Sequence, residues 1–386
     1  MSRWRKLFRS GNAESLPTAD VTRFEPLARR RLSQMAYDYV RSGGGDEISM
    51  RANRAGFERV QLSPSVLVDV SGIDTRVNLF GSEMESPILL APVAYHRLYH
   101  RDGEVATARG ASAAGAGFVI STFTTTEIDE IARNTQRPIW FQLYVQRDRG
   151  FTKEMVERAV ASGCKAVCLT VDTPVLGNRY GQLSFGLPKE LECVHLRGLA
   201  LKSPITGHKT QRSSIYDSLF DPSFNWNDLE WLRSVARVPV ILKGVLSAED
   251  GRRAVERGAD GVIVSNHGGR NLDTVPATID ALPRVVEAVA GRIPVMLDSG
   301  IRRGTDVLAA LALGAKAVFI GRPYVYGLAV GGAQGVERVI NILRDELERA
   351  MALTGRRSIA EIDATVLWSA QGAAEKKALR SPAAGV

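Results

Sequence analysis

Residues 239–267, PVILKGVLSAEDGRRAVERGADGVIVSNH, contain a short apolar run, an amphipathic stretch of helical length, a glycine and a second apolar run. Short apolar runs bounded by Gly and Pro read as buried strands, and a helix-length connection between two of them predicts a parallel pair. The alternation recurs along the chain. Strands are predicted over 87–94, 117–122, 139–145, 166–172, 239–245, 261–267, 294–300 and 317–322, which makes eight. Helices are predicted over 103–115, 125–134, 151–163, 227–235, 247–258, 278–289, 304–314 and 335–353, several of them ending at the glycine expected just past a helix terminus. Eight strand–helix units predict an α/β fold of the closed (β/α)8 TIM-barrel kind rather than an open doubly wound sheet. The glycine patterns agree: no G-x-G-x-x-G follows a strand and opens a helix, and no G-x-x-x-x-G-K-[ST] occurs.

Three pieces fall outside the barrel. Residues 1–75 contain a predicted helix over 26–42 that ends at Gly43-Gly44-Gly45 and is expected to cap the barrel's bottom or flank its top. Residues 173–224 form a long connection after the fourth strand, the kind of segment that serves as a lid or binding loop. The tail beyond Gly355 is expected to be loose. The domain reading is a basic arm over 1–25, a barrel domain over 26–362 and a loose tail over 363–386.

Hydrophobic residues make up 45% of the chain and charged residues 24%, the balance of an ordinary globular protein, which excludes wholesale disorder. Its 386 residues also exclude a small disulfide scaffold. The net charge is +8, and Arg3, Arg5, Lys6 and Arg9 supply half of it. The reading is a solvated arm on a mildly basic body that attracts small anions. No basic stripe interleaved with aromatics points to nucleic acid. Cys164, Cys168 and Cys193 form no C-x-x-C pair and accompany no His pair at zinc spacing, so no metal site is expected and the setting is read as reducing and cytoplasmic. No apolar run approaches the ~18 to 20 residues of a membrane span, and the N-terminus lacks a signal-peptide core.

In this fold the chemistry sits at the C-terminal ends of the strands. Polar residues gather there: Gln142 and Tyr144 on the third strand, Thr170 and Asp172 on the fourth, Lys243 on the fifth, Ser265, Asn266 and His267 on the sixth, Asp298 on the seventh, Gly321 and Arg322 on the eighth. Of the histidines at 96, 100, 195, 208 and 267, only His267 terminates a strong apolar run inside a glycine-rich turn, which makes it the candidate base. Asp172, two strands away, is placed to orient the imidazole and raise its basicity. Arg179 and Arg270 lie just past strand ends and supply the paired guanidinium forks that bind a small carboxylate. The loop from Asp298 through Ser299, Gly300, Ile301 and Arg302 to Gly304, with the turn Gly321-Arg322-Pro323, puts glycines and arginines where barrels hold phosphate. A phosphorylated cofactor is implied.

With these residues assembled, the chain resembles the FMN-dependent α-hydroxy acid oxidases and dehydrogenases over about 27–362. The carriers are Tyr37-Asp38-Tyr39, Ala91-Pro92-Val93-Ala94, Phe141-Gln142-Leu143-Tyr144, Leu169 to Pro174, Leu242-Lys243-Gly244-Val245, Ser265 to Asp273, Leu297-Asp298-Ser299-Gly300 and Ile320-Gly321-Arg322-Pro323. The resemblance implies that His267 accepts the substrate proton with Asp172 as partner, that Arg179 and Arg270 clamp the carboxylate, and that Tyr39 and Tyr144 hydrogen-bond the carboxylate and hydroxyl. For FMN it implies Pro92, Val93 and Ala94 beside N5, and Ser121, Gln142 and Thr170 around the ring. Lys243 falls near N1 and O2. Ser265, Asp298, Ser299, Gly300, Ile301, Arg302, Gly321 and Arg322 fall on the ribityl chain and phosphate. The implied reaction is oxidation of an (S)-2-hydroxy acid of the lactate, glycolate or mandelate type to the 2-oxo acid, with O2 giving H2O2. The alternatives are an L-lactate dehydrogenase with a quinone or cytochrome acceptor and a lactate 2-monooxygenase. A homotetramer is implied as well.

Some positions depart from the family pattern. Asn178 stands where the common Gly-Arg-Arg has its first arginine, and Phe123 stands where relatives close to glycolate oxidase carry Trp. Residues 91–104, with Tyr95 and Arg101, look closer to hydroxymandelate oxidase. The connection after the fourth strand carries Lys189, Glu190, Glu192, Arg197, Lys202, Lys209 and Arg212, unlike an apolar membrane anchor. Two rival readings are disfavoured: a barrel enzyme using a catalytic cysteine, because no cysteine follows the sixth strand, and a scaffold without chemistry, because base and clamp are both present.

Overall fold

The computed structural model describes residues 16–182, 186–188, 191–197 and 220–368. The arm cations Arg3, Arg5, Lys6 and Arg9, the connection residues Lys189, Glu190, Lys202, Lys209 and Arg212, His208 and the tail from 369 lie outside the described residues. A hairpin, β1 (Val77–Leu79) and β2 (Ser82–Met84), precedes the barrel. The barrel strands are β3 (Ile88–Leu90), β4 (Phe118–Ile120), β5 (Ile139–Leu143), β6 (Val167–Thr170), β7 (Val240–Val245), β8 (Gly261–Val264), β9 (Val295–Asp298) and β10 (Val318–Ile320). Each pairs in parallel with the next, and β10 returns to β3 to close the barrel. All eight predicted strands are present but shorter. His267 therefore lies beyond β8 rather than at its end, and its φ of +59° shows why: the backbone has already turned out of the ladder.

The outer layer contains α4 (Gly103–Ala113), α5 (Ile128–Ala132), α6 (Arg149–Ala161), α7 (Leu229–Ala236), α8 (Ala248–Glu256), α9 (Thr278–Val289), α10 (Gly304–Ala312) and α11 (Arg322–Leu353). The last is longer than the predicted 335–353. Gly321-Arg322-Pro323 is not a free turn, because a proline in the first helical turn is compatible with helix and α11 begins at Arg322. Non-helical dihedrals at Gly331 and Gly332 break α11 into two pieces.

The predicted helix over 26–42 is two helices, α1 (Phe24–Arg31) and α2 (Gln34–Arg41). Leu32 and Ser33 are extended, and the Ser33 hydroxyl accepts from the Ala36 N–H to start α2. Val21 and Phe24 are buried, so the packed body begins before Pro26. At the other end Leu367 bridges to Leu62 and Val366 is buried, so the chain stays packed past Gly355 and past 362, where the loose tail was expected.

The N-terminal region serves both expected purposes. The hairpin plugs the barrel's bottom with Leu79 and Met84, while α2 and α3 (Ile48–Glu58) flank its top. There Asp273 accepts from the N–H groups of Asp46, Ile48 and Ser49, and Asn53 pairs with Asn266.

Inward-facing side chains alternate along each strand. Leu89, Val119, Trp140, Cys168, Ile241, Ile263, Met296 and Phe319 fill the interior. Two residues further on, the same faces present Ala91, Ser121, Gln142, Thr170, Lys243, Ser265, Asp298 and Gly321. The barrel interior is thus an apolar plug beneath a polar layer. Trp140→Ala is expected to remove about 3–5 kcal/mol of stability, as cavity-forming aromatic truncations do, read as a lower urea midpoint.

Candidate active site

The polar layer is wired together. Lys243 Nζ lies 2.9 Å from Asp298 Oδ2 and donates to Ser265 Oγ at 3.0 Å, with both charged side chains buried. Burial would depress the Lys243 ammonium, but Asp298 and Asp172 hold it above its ordinary pKa, so the cation persists. Gln142 donates to Thr170 Oγ1 at 3.0 Å, and its carbonyl accepts from Ser121 Oγ and the Thr122 N–H. Ser299 Oγ donates to Asp298 Oδ1 at 2.7 Å and accepts from the Gly268 N–H.

Above this floor stands the His267 dyad. His267 Nδ1 is 2.9 Å from Asp172 Oδ1, and Nε2 faces the Tyr144 hydroxyl at 3.4 Å. Burial drives His267 below its ordinary pKa of 6.5 against the pull of Asp172, so the free ring is neutral at neutral pH. Burial alone would raise Asp172, but His267, Lys243 and the Thr173 hydroxyl hold it below the usual carboxylate value. An ionised Asp172 takes the Nδ1 proton as an acceptor and leaves Nε2 bare towards the cleft. The fit depends on Gly244, whose φ is +115° and where an added Cβ would lie 2.6 Å from Asp172 Cβ.

Four arginines converge on the same cleft. Arg179 Nε donates to the Arg270 carbonyl at 3.0 Å, and Arg270 donates to the Ser42 carbonyl at 2.6 Å while its guanidinium stacks 5.4 Å over the Tyr39 ring. Arg322 donates to the carbonyls of Val40, Ser42 and Gly268, and Arg302 to that of Ile301. Among the described residues none of the four ion-pairs with a carboxylate. Burial and the neighbouring guanidiniums Arg179 and Arg322 push Arg270 down to about 9, and burial with Arg322 pushes Arg302 down to about 10. Cations half-buried in a cleft without anions are costly, so this donor set is built to receive anionic groups.

Tyr39, Pro92, Val93, Ala94, Tyr99, Ser121, Phe123, Gln142, Tyr144, Thr170, Arg179, Lys243, His267, Arg270, Arg302 and Arg322, with Asp298 to Ile301 and Gly321, line one cleft. Its residues fit FMN: an extended floor of hydrogen-bonding side chains, a fixed cation at its centre, and two half-buried arginines beside the α11 N-terminus for a phosphate.

Nearly all the sequence-derived residues come together here. Ser265, Asn266 and Asp172 do not reach the cleft surface. Ser265 lies behind it and accepts from Lys243 and the His267 N–H, and Asp172 lies behind His267. Ile301 is 1% exposed, with its side chain in the core. The sequence reading missed Asn271, whose amide donates to the Asp172 carbonyl at 2.9 Å and to Thr173 Oγ1 at 2.7 Å. Its place four residues after His267 on the same loop was the available signal. It also missed an aromatic arc: Tyr39–Tyr95, Tyr95–Phe123, Phe123–Tyr144 and Tyr144–Phe220 have ring centroids 5.7, 6.0, 5.4 and 4.9 Å apart.

The chain matches the FMN-dependent dehydrogenase family over residues 28–369. It is 48% identical to an L-lactate oxidase from a Nostoc species, across 89% of this chain and 96% of that protein. It is 46% identical to glycolate oxidase 3 of Arabidopsis thaliana, across 90% and 95%. A solved structure of mandelate oxidase with (S)-4-hydroxymandelic acid, 38% identical, superposes with a TM-score of 0.84 over 91% of this chain and 98% of that one.

Proposed function

The chain belongs to the FMN-dependent dehydrogenase family, and from that premise we propose that its cleft oxidises (S)-2-hydroxy acids to 2-oxo acids. The observation that carries the reading is the bare Nε2 of a neutral, aspartate-held His267 in the same cleft as the unpaired guanidiniums of Arg179 and Arg270. A proton acceptor and a carboxylate clamp sharing one cleft suit a substrate with a hydroxyl next to a carboxylate.

FMN would supply a two-electron acceptor when bound, with O2 as the final oxidant and H2O2 as its product. Arg302, Arg322, Gly321 and the 298–301 loop would hold its phosphate and ribityl chain, with Ser121, Gln142, Thr170 and the backbone of Pro92, Val93 and Ala94 around the ring. Lys243 would place its buried positive charge against the ring and stabilise negative charge there. Arg179, Arg270 and Tyr39 orient the substrate carboxylate. His267 takes the hydroxyl proton at Nε2, and Asp172 stabilises the resulting imidazolium. Tyr144 holds the hydroxyl oxygen beside Nε2. Across the reaction the substrate loses two electrons and two protons.

The pH dependence follows from the His267 ring. The base must be neutral, and burial keeps its pKa below 6.5, so the acid limb of kcat/KM is expected to fall through an ionisation below 6.5. Asp172→Asn removes the charge that partly opposes burial, so it should move that limb to lower pH while slowing the reaction. An acid limb in the wild type above 7 would contradict the assignment.

A reducing, cytoplasmic setting and a homotetramer complete the proposal. The three cysteines are buried free thiols, and among the described residues no helix is long and apolar enough to cross a membrane. Val66, Leu67, Leu353 and Trp368 are exposed apolar groups that suit self-association. Turnover of (S)-lactate, glycolate and (S)-mandelate in air tests the reading: one H2O2 per 2-oxo acid is expected. A decarboxylated product would mean a monooxygenase, and turnover only with a quinone would mean a dehydrogenase.

A further inference from the structure

Outside the catalytic set lies a buried polar chain that the mechanism does not use. Glu104 on α4 is 1% exposed, and His96 and Tyr324 are fully buried. Glu104 Oε1 accepts from the N–H groups of His96 at 3.1 Å and Thr125 at 2.8 Å, and Oε2 accepts from the hydroxyls of Thr125 at 2.7 Å and Thr126 at 2.8 Å. One carboxylate thus ties the loop after β3 to the loop after β4. These loops carry Pro92, Val93 and Ala94 on one side and Ser121 and Phe123 on the other, all lining the cleft.

The ring of His96 continues the chain. Nδ1 lies 2.9 Å from Thr107 Oγ1, and Nε2 lies 3.3 Å from the Tyr324 hydroxyl, which donates to the Ala91 carbonyl at 2.8 Å. With the ring proton assigned to Nε2, the Thr107 O–H donates to Nδ1, the Nε2–H donates to Tyr324 Oη, and the Tyr324 O–H donates to Ala91. The Ala91 N–H is already bonded to the Ile320 carbonyl, so Ala91, just past β3, is tied to the end of β10 and its carbonyl begins the cleft wall.

We propose that Tyr324, backed by His96 and Glu104, is a positioning residue that fixes the backbone from Ala91 to Ala94 where it borders the flavin. The proposal rests on the FMN reading above. A buried carbonyl with one donor turns when that donor is lost, and the three residues that follow turn with it. Because the substrate clamp of Arg179, Arg270 and Tyr39 does not touch this chain, the effect falls on the flavin and on kcat rather than on KM.

The test is the Tyr324→Phe holoenzyme. Its FMN dissociation constant, read from the fluorescence of released FMN on dilution, is expected to rise about fivefold, the worth of one buried hydrogen bond. The flavin absorption band should shift and kcat should fall at least threefold, with KM for the hydroxy acid within twofold of wild type. His96→Leu should do the same through loss of the donor to Tyr324. His96→Gln, whose amide can still bridge Thr107 and Tyr324, should retain more FMN affinity than His96→Leu. A lowered unfolding midpoint with unchanged FMN dissociation, band position and kcat in both Tyr324→Phe and His96→Leu would overturn the proposal, leaving the chain a structural brace. Wild-type protein that releases no FMN on denaturation would instead defeat the functional reading itself.

Discussion

His267→Asn is expected to slow reduction of the bound flavin by a 2-hydroxy acid about 10³- to 10⁴-fold, the upper part of the range for loss of a positioned general base. Asparagine is the informative replacement because His267 has a φ of +59°, a left-handed conformation that Asn tolerates better than most residues. The backbone of the glycine-rich loop should then hold, and Gly268, Asn271 and Arg270 should stay in place. The Asn amide cannot take the hydroxyl proton, and it leaves Asp172 without its imidazole partner. FMN content should remain that of the wild type. Stopped-flow absorbance with (S)-lactate and with (S)-mandelate checks the rate, and near-normal reduction in this variant, or in His267→Ala, would remove His267 as the base.

Arg270→Met should lower kcat/KM by about 10²- to 10³-fold, matching the ~2–5 kcal/mol lost when one partner of a buried charge pair is truncated. The guanidinium is half-buried and held by the carbonyls of Ser42 and Val40 over the Tyr39 ring. It is therefore fixed before substrate arrives, and little of its bonding energy is spent on ordering. Methionine fills similar volume without the fork, so substrate should bind more weakly and, once bound, sit askew, raising KM and slowing reduction together. Arg270→Lys should restore charge but not bidentate geometry, and so recover only part of the loss. An unchanged reduction rate at saturating substrate would take Arg270 out of the clamp.

Much of the site was legible because the barrel converts a period of two into a layer. Once the apolar runs are placed, the residue two beyond each interior side chain must lie on the floor of the mouth. Gln142 follows Trp140, Thr170 follows Cys168, Lys243 follows Ile241 and Asp298 follows Met296 in this way. His267, Arg270 and Arg179 lie past the ladder, where only their position at the mouth and the family resemblance marked them.

What escaped the reading has a common cause. The strands of the hairpin at 77–84 have three residues each, too short for a period to register, and the break at Ser33 sits inside a pattern that otherwise reads as one helix. The meeting of Tyr95, Phe123 and Phe220, and that of Glu104, His96 and Tyr324, depends on which loops the closed barrel brings together. Spacing along the chain holds no trace of such contacts. Arg322 was legible as a site residue but not as the start of a helix, because Gly321 and Pro323 signal a turn and a helix start alike.

The most direct test of the account is an anaerobic absorbance spectrum of the purified protein before and after (S)-lactate, glycolate and (S)-mandelate are added in turn, followed by admission of air. The expected result is a flavin band that at least one of these acids bleaches and that air restores. A protein without a flavin band, or a band that none of the acids bleaches, would contradict it.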